Sequence, residues 1–422
     1  MTGTNVSSSA LILENVHLAS NLSSRTGETV YTVKCRDGEE FHVLDGRGGI
    51  LVPSLCHSHI HLDKCNILGQ CDELVTGNFK EAMVVTSKAK ESYTSADLFE
   101  RGRKLILESV KYGVTAIRAH VEVDRIVGFK CVEVGLKLRE DFSHICDVGL
   151  SVFAQDPVFY TTGEETENLR LLKQAASLPG ISTVGSAPYV EANADLIRRN
   201  IDAIFDIAIK NDLHIDFHLD FNLNRDIEPF TPYVIEQARR VQWNQYAPNK
   251  RITIGHASRL GMLSKDQLNA LSADIGDLPI TIISLPQTDT YMLGPGAPLN
   301  VLELTSGLDM AMSVNNVGNA FTPQGSFDPL NLCTFGVATF QNGTPNACAT
   351  LLDSVSNVSK RAAGMNHPRS LLVQKGDPAD LVLIHGCSNV QDLVLSPSYE
   401  RTTIKAGRVV ASRTITDFVA ET

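Results

Sequence analysis

"NADLIRRNIDAIFDIAIKN" (residues 193–211) runs almost directly into "LHIDFHLD" (residues 213–220), and this pair of segments decides how the chain is read. The first carries its apolar residues at helical spacing; the second is a short apolar run ending on acids and a histidine. A helical pattern beside an apolar strand is one unit of a repeated βα architecture. Strand-like runs of the same kind end in "SLCHSHIH" (54–61), "VTAIRAHVEV" (114–123), "VGLSVFAQ" (148–155), "ISTVGSAP" (181–188), "RITIGHAS" (251–258), "PITIISLP" (279–286) and "DMAMSVNN" (309–316), which with 213–220 makes eight. Amphipathic stretches lie between them, such as "SADLFERGRKLILESVKYG" (95–113), with a Ser at its start and a Gly at its end. Eight units predict an α/β protein of TIM type, a (β/α)8 barrel over residues 53–367. Short β-like segments and Gly turns at both chain ends predict a small β-sandwich domain built from 1–52 and 368–422.

Composition narrows the function. With 43% hydrophobic and 20% charged residues in 422, the chain is an ordinary globular protein with a large core. A formal charge of −11 without a Lys/Arg run excludes a nucleic-acid or anionic-membrane partner and points to a small-molecule substrate. Nine cysteines without a C-x-x-C suggest neither a disulfide framework nor a zinc knuckle, and fit a reducing, cytoplasmic location. The start, "MTGTNVSSSALILEN", has no basic leader pattern, and no apolar run is long enough to span a membrane. Many barrels of this size associate, so a homo-oligomer is compatible with the sequence.

In a barrel of this type the C-terminal ends of the strands face the active site, so polar residues that close apolar runs carry the chemistry. The first run ends His57-Ser58-His59-Ile60-His61-Leu62-Asp63-Lys64, and strand alternation puts His57, His59 and His61 on one face. The fifth ends Asp216-Phe217-His218-Leu219-Asp220, aiming both acids and the histidine at one side. The second supplies His120 and Glu122, the third Gln155 and the sixth His256. Four imidazoles converging on one mouth are a poor way to fill a core and a good way to hold a divalent cation. His57, nearer the interior, reads as structural or as a support to the ligands. His17, His42, His144 and His385 are assigned no role, and Cys56 and Cys65 lack the register to join the site. No Lys ends the fourth run, so a binuclear centre bridged by a carbamylated lysine is not indicated.

These motifs resemble the amidohydrolase superfamily, specifically its cytosine-deaminase-like branch, over nearly the whole chain. The resemblance rests on "PSLCHSHIHLDK", "FHLD", "IGHAS", "NNVGNAFTPQGSFDPL" and the closing "PADLVLIHG" with "TIKAGRVV". It implies one divalent metal, Zn2+ ahead of Fe2+, with His59, His61 and His218 as ligands. It implies further that His256 contacts the attacking water, that Gln155 orients a substrate ring and that Asp63 is a structural acid. Two family residues are absent: the eighth run carries Asn315 where the family has a metal-bound aspartate, and Phe221 stands where it has a proton-carrying glutamate. "HLDFNLN" together with "NNVGNAFTPQG" resembles uncharacterised fungal members that share these departures.

Without those acids, Asp220 and His256 are the groups left to move protons, and Asn315 retains an amide oxygen that can ligate but takes up no proton. Asp220 reads equally as the ion-pair partner of a cation at the mouth, such as Lys64. Phe221 suggests a dry aromatic wall, and Lys64 and Asn316 belong to the same mouth. The expected activity is hydrolysis of a C–N bond in a small, perhaps cyclic, amide or amidine. A lyase, isomerase or cyclase on the same scaffold, and a catalytically silent binding relative, are the alternatives.

Overall fold

The computed structural model describes residues 10–19, 30–35 and 41–420. The parts of the expected terminal domain that fall on 1–9, 20–29, 36–40 and 421–422 lie outside the described residues. Three strands, β1 (Ala10–Leu18), β2 (Tyr31–Lys34) and β3 (Phe41–Pro53), precede the barrel strands β4 (Leu55–His61), β5 (Val114–Glu122), β6 (Asp147–Ala154), β7 (Ile181–Ser186), β8 (His214–Leu219), β9 (Ile252–His256), β10 (Ile280–Ser284) and β11 (Met310–Met312). Strands β12 (Leu381–Ile384), β13 (Arg401–Lys405) and β14 (Arg408–Arg413) follow.

β4 to β11 pair in parallel in chain order. The ring is closed where Ile60 meets Asn315: His61 N donates to Asn315 O at 2.9 Å and Asn315 N donates to His59 O at 3.1 Å. Thus the eight expected runs are the eight barrel strands. β4, β5, β8, β9, β10 and β11 are buried at every position, as parallel strands covered by helices on one side and a filled barrel on the other should be. The unit around residues 193–220 shows how the sequence achieves this. Asn193 caps the helix Ala194–Asn211 by accepting from Leu196 N. That helix buries Leu196, Ile201, Ile204, Phe205, Ile207 and Ala208 against the sheet. Asp212 then takes a left-handed conformation (φ 54°) that ends it and turns the chain into β8.

Strands from both chain ends form one six-stranded sheet in the order β14-β13-β12-β3-β1-β2. A buried ion pair locks it to the barrel: both nitrogens of the Arg401 fork reach Asp328 at 2.7 Å, and Arg401 Nη1 also donates to Tyr112 O at 2.9 Å. Among the described residues no helix is long and apolar enough to cross a membrane.

Two local expectations need correction. The pairing of β4 with β5 shifts register between His57 and Ile60, and this bulge breaks the alternation that would place His57 with His59 and His61. His57 stays within β4 but is buried with its ring 3.2 Å from Ser109 Oγ on the helix Ser95–Lys111. The last barrel strand is also shorter than 309–316, because Asn315 adopts φ 64° and Asn316 N turns back to Val314 O at 2.8 Å.

Candidate active site

Three imidazoles converge at the C-terminal mouth of the barrel. His218 Nε2 lies 3.0 Å from His59 Nε2 and 3.0 Å from His61 Nε2. Nitrogens about 2.0–2.1 Å from a shared zinc ion are separated by about 3 Å, so each of these two separations suits a pair of ligands on one cation. Burial pushes all three imidazoles below their ordinary range, and for His61 and His218 neighbouring cations and imidazoles add to it. They are therefore neutral at neutral pH, as ligands must be.

Two of the rings, His59 and His218, have close supports. His59 Nδ1 is 3.1 Å from Asp216 Oδ1, and Asp216 Oδ2 accepts from Arg118 Nη1 at 3.0 Å. Burial opposes ionisation of Asp216, but His59 and His120 beside it and the Arg118 guanidinium hold the carboxyl below the ordinary range. The opposite side of His59 packs on Gly255, where a Cβ would come within 2.7 Å of the ring. His218 stacks at 4.2 Å on Phe153. His120 lies beside these three imidazoles, 4.2 Å from His59 between ring centroids, fully buried, with its Nε2 3.8 Å from Asp216 Oδ1 and neither nitrogen hydrogen-bonded. His59, His120, Asp216 and His218 thereby offer a second, deeper donor set that shares two residues with the first.

His256, 5.5 Å from His218 between ring centroids, adopts a left-handed conformation (φ 68°). Its Nδ1 is 2.7 Å from Asp289 Oδ1, and Phe221 stacks on its ring with centroids 3.9 Å apart. Asp289 belongs to the helix Pro286–Leu293, which follows β10. Burial pushes its carboxyl up, against the pull of His256. Asn315 Nδ2 donates to Thr288 Oγ1 at 3.1 Å, which leaves Asn315 Oδ1 buried and unpaired in the pocket. Asn316 lines the same pocket and accepts from Asn319 Nδ2 at 2.7 Å.

Asp220 does not share the mouth with His218. Its backbone turns left-handed (φ 53°), and its carboxylate accepts from Phe230 N at 2.7 Å, Thr231 N at 2.9 Å and Thr231 Oγ1 at 2.6 Å. It is a brace for the loop entering the helix Thr231–Arg240. Nor is Lys64 its partner: Lys64 Nζ donates to Gln155 Oε1 at 2.9 Å and stands 3.6 Å from Glu122 Oε2. Asp63 receives Glu122 N at 2.7 Å, a structural contact as expected.

The pocket is lined by His61, His218, His256, Lys64, Gln155 and Asn315 together with several aromatics. Phe79 touches Phe221 at 5.6 Å, Phe321 at 5.9 Å and Tyr189 at 6.3 Å. The structure thus brings together all the expected site residues except Asp220. Sequence reasoning missed Asp289, Thr288, Phe79, Tyr189 and Phe321. For Asp289 and Thr288 a signal was present, since "LPQTDTYML" follows the end of a barrel strand. Phe79, by contrast, comes from the helix Phe79–Lys90 with nothing local to mark it.

The most informative comparison is structural. The 5-methylcytosine deaminase from Klebsiella pneumoniae, solved with phosphonocytosine, superposes with a TM-score of 0.83 at 21% identity, covering 97% of this chain and 100% of that one. The two share one fold. In sequence, the chain is 22% identical over 414 residues to the N-isopropylammelide isopropyl amidohydrolase of Pseudomonas sp. (strain ADP), covering 95% of this chain and 96% of that protein. It is 24% identical over 389 residues to the pterin deaminase of Rhizobium rhizogenes, covering 89% and 83%. No family model matches the chain. Its relatives and structural neighbours are thus deaminases and amidohydrolases, enzymes that act on C–N bonds.

Proposed function

We propose that the chain is a mononuclear metal-dependent hydrolase that breaks a C–N bond in a small, cyclic amide or amidine and releases an amine or ammonia. The observation that carries this reading is that His218 Nε2 lies 3.0 Å from both His59 Nε2 and His61 Nε2, beside a pocket flanked by the His256–Asp289 pair. His59, His61 and His218 would hold the cation, and Asn315 Oδ1 would offer it a neutral fourth donor. When bound, a divalent cation supplies Lewis acidity that makes a water acidic and polarises the scissile carbon. Zinc suits three imidazoles, as does iron.

Proton transfer falls to His256. Asp289 accepts a hydrogen bond from Nδ1–H, which fixes the tautomer and leaves Nε2 free to take a proton from the attacking water and return it to the departing nitrogen. The Asp289 carboxylate offsets the charge the ring gains between those two steps. Phe221, stacked on His256, keeps the ring aligned and excludes bulk water. Asp220 takes no part, being engaged by the loop it braces. Gln155, Lys64 and Asn316 hold the substrate edge. A silent binding protein would not need the ligand set. A cytoplasmic location is supported by nine unpaired cysteines.

The test is amine or ammonia release from a panel of amino-pyrimidines, amino-triazines, pterins and lactams, with zinc-replete protein and with chelator-treated protein. Metal-dependent release from at least one ring substrate is expected. No release across the panel by metal-replete protein would overturn the reading.

A further inference from the structure

Resting on the hydrolase reading, we infer that Thr288, itself held by Thr322, is a positioning residue that turns the amide of Asn315 so that Oδ1, and not Nδ2, is presented to the cation. A carboxylate at this place needs no such device, because its two oxygens are alike. An amide does, since its oxygen can ligate while its NH2 group has only protons to offer.

The backbone leaves the amide one choice. Asn315 N donates to His59 O at 3.1 Å, and Asn315 O accepts from His61 N at 2.9 Å. The residue is thereby tied to the two histidines of β4 whose rings are candidate ligands, and it is buried. What remains is the half-turn about the last side-chain bond, which exchanges oxygen for nitrogen.

Thr288 governs that half-turn. Asn315 Nδ2 donates to Thr288 Oγ1 at 3.1 Å, and Thr288 Oγ1 lies 2.7 Å from Thr322 Oγ1. A hydroxyl that accepts from the amide keeps its own proton, and the second hydroxyl stands where it can take it. Both threonines are buried, so the pair is shielded from bulk water. Thr322 is fixed in turn, its N donating to Asn319 Oδ1 at 2.9 Å. The consequence is seen at Asn315 Oδ1, which is buried without a hydrogen-bond partner in a residue that lines the pocket. A buried carbonyl left open is costly unless a ligand completes it, and a half-turn would put protons there instead. Thr288 is also the neighbour of Asp289, whose Oδ1 is 2.7 Å from His256 Nδ1. Consecutive residues of the helix Pro286–Leu293 thus orient the neutral donor and the proton carrier.

The test is zinc competition against a chelator, with melting of the metal-free proteins as the check on folding. Thr288→Val should weaken zinc binding by about five- to tenfold, the scale of one lost hydrogen bond, whereas Thr288→Ser keeps the hydroxyl and should bind as wild type does. Combined with Asn315→Asp, Thr288→Val should change affinity by less than about twofold, because either carboxylate oxygen can face the cation; combined with Asn315→Ala it should likewise add nothing. A threonine that only supports the fold would cost the same in every background. If Thr288→Val does not fold, Thr322→Val carries the same comparison, since it frees the Thr288 proton to favour the turned amide. Equal losses in all three backgrounds, no loss in folded Thr288→Val, or a wild type that takes up no zinc overturns the inference. The two readings fail separately: the expected pattern of zinc affinities with no amine release from any substrate sinks hydrolysis alone, whereas metal-dependent release with equal losses in every background sinks the positioning role alone.

Discussion

Gly255 on β9 gives the sharpest handle on the metal centre. Placing a methyl there as Gly255→Ala would bring the new carbon to 2.7 Å from His59 Cε1, 3.0 Å from Nδ1 and 3.4 Å from Nε2. Ordinary contact begins near 3.4 Å, so the ring must retreat by about 0.7 Å. It has little room: Asp216 Oδ1 stands 3.1 Å from Nδ1, and His120 packs at 4.2 Å. Metal–nitrogen bonds tolerate roughly 0.2 Å, so the displaced Nε2 would leave its bond length. Overpacking of this kind costs about 1–3 kcal/mol, which becomes a roughly 5- to 150-fold loss of metal affinity if it falls on the ligand. Gly255 has no left-handed backbone angle, so alanine adds no strain of its own. The assay is zinc competition against a chelator, with melting of the metal-free proteins as the check on folding. As a control, Gly261→Ala, whose nearest neighbour is Leu299 Cδ2 at 3.4 Å, should bind zinc as wild type does. Unchanged zinc affinity in folded Gly255→Ala would refute the placement of His59 as a ligand.

Asn315→Asp restores a carboxylate beside the three imidazoles; its φ of 64° suits either residue, so the fold should persist and metal affinity should rise by about tenfold or more in the same competition assay. Asp289→Asn keeps the shape but loses the acceptor charge opposite His256 Nδ1, and kcat on the preferred substrate should fall by roughly 100-fold or more with zinc content unchanged; a near-normal kcat would assign proton transfer to another group. Acid should destabilise the metal-free protein. Burial holds His57 and His214 at about 3, below the 6.5 of an exposed imidazole, and His214 Nδ1 already accepts from Arg251 N at 2.8 Å. Protonation then favours the unfolded chain, so this stability is complete above about pH 6.5 and is lost as pH falls towards 3, about 2 kcal/mol per group by pH 5. A melting temperature that stays level between pH 7.5 and 5 would contradict it.

The barrel was legible because its strands are buried on both sides and so appear as apolar runs, each closed by a polar residue that has a reason to be there. His59, His61 and His218 could be grouped for the same reason: strand alternation and position at a strand end are local properties. Backbone switches were not legible. Asp220 continues the period-two pattern of β8 on paper, yet its left-handed turn sends the carboxylate to Thr231, and aspartate is among the residues that make such a turn cheaply. His57 follows the same alternation but is removed by a bulge that no residue type signals. Pairings between separate loops were also hidden. Asp289 meets His256 across 33 residues, and Lys64 meets Gln155 across 91, so neither partner could be chosen before the barrel closed. The acids missing at 315 and 221 were visible at once, whereas the acid that supports proton transfer appeared only with the fold.

Whether His59, His61 and His218 together hold a single cation is read out by X-ray absorption of the zinc-loaded protein. One zinc per chain with about three imidazole nitrogens near 2.0–2.1 Å is the expected result, falling to two in any zinc that His218→Ala retains. A zinc coordinated by fewer than three imidazoles in the wild type, or one whose surroundings do not change in His218→Ala, would contradict the account.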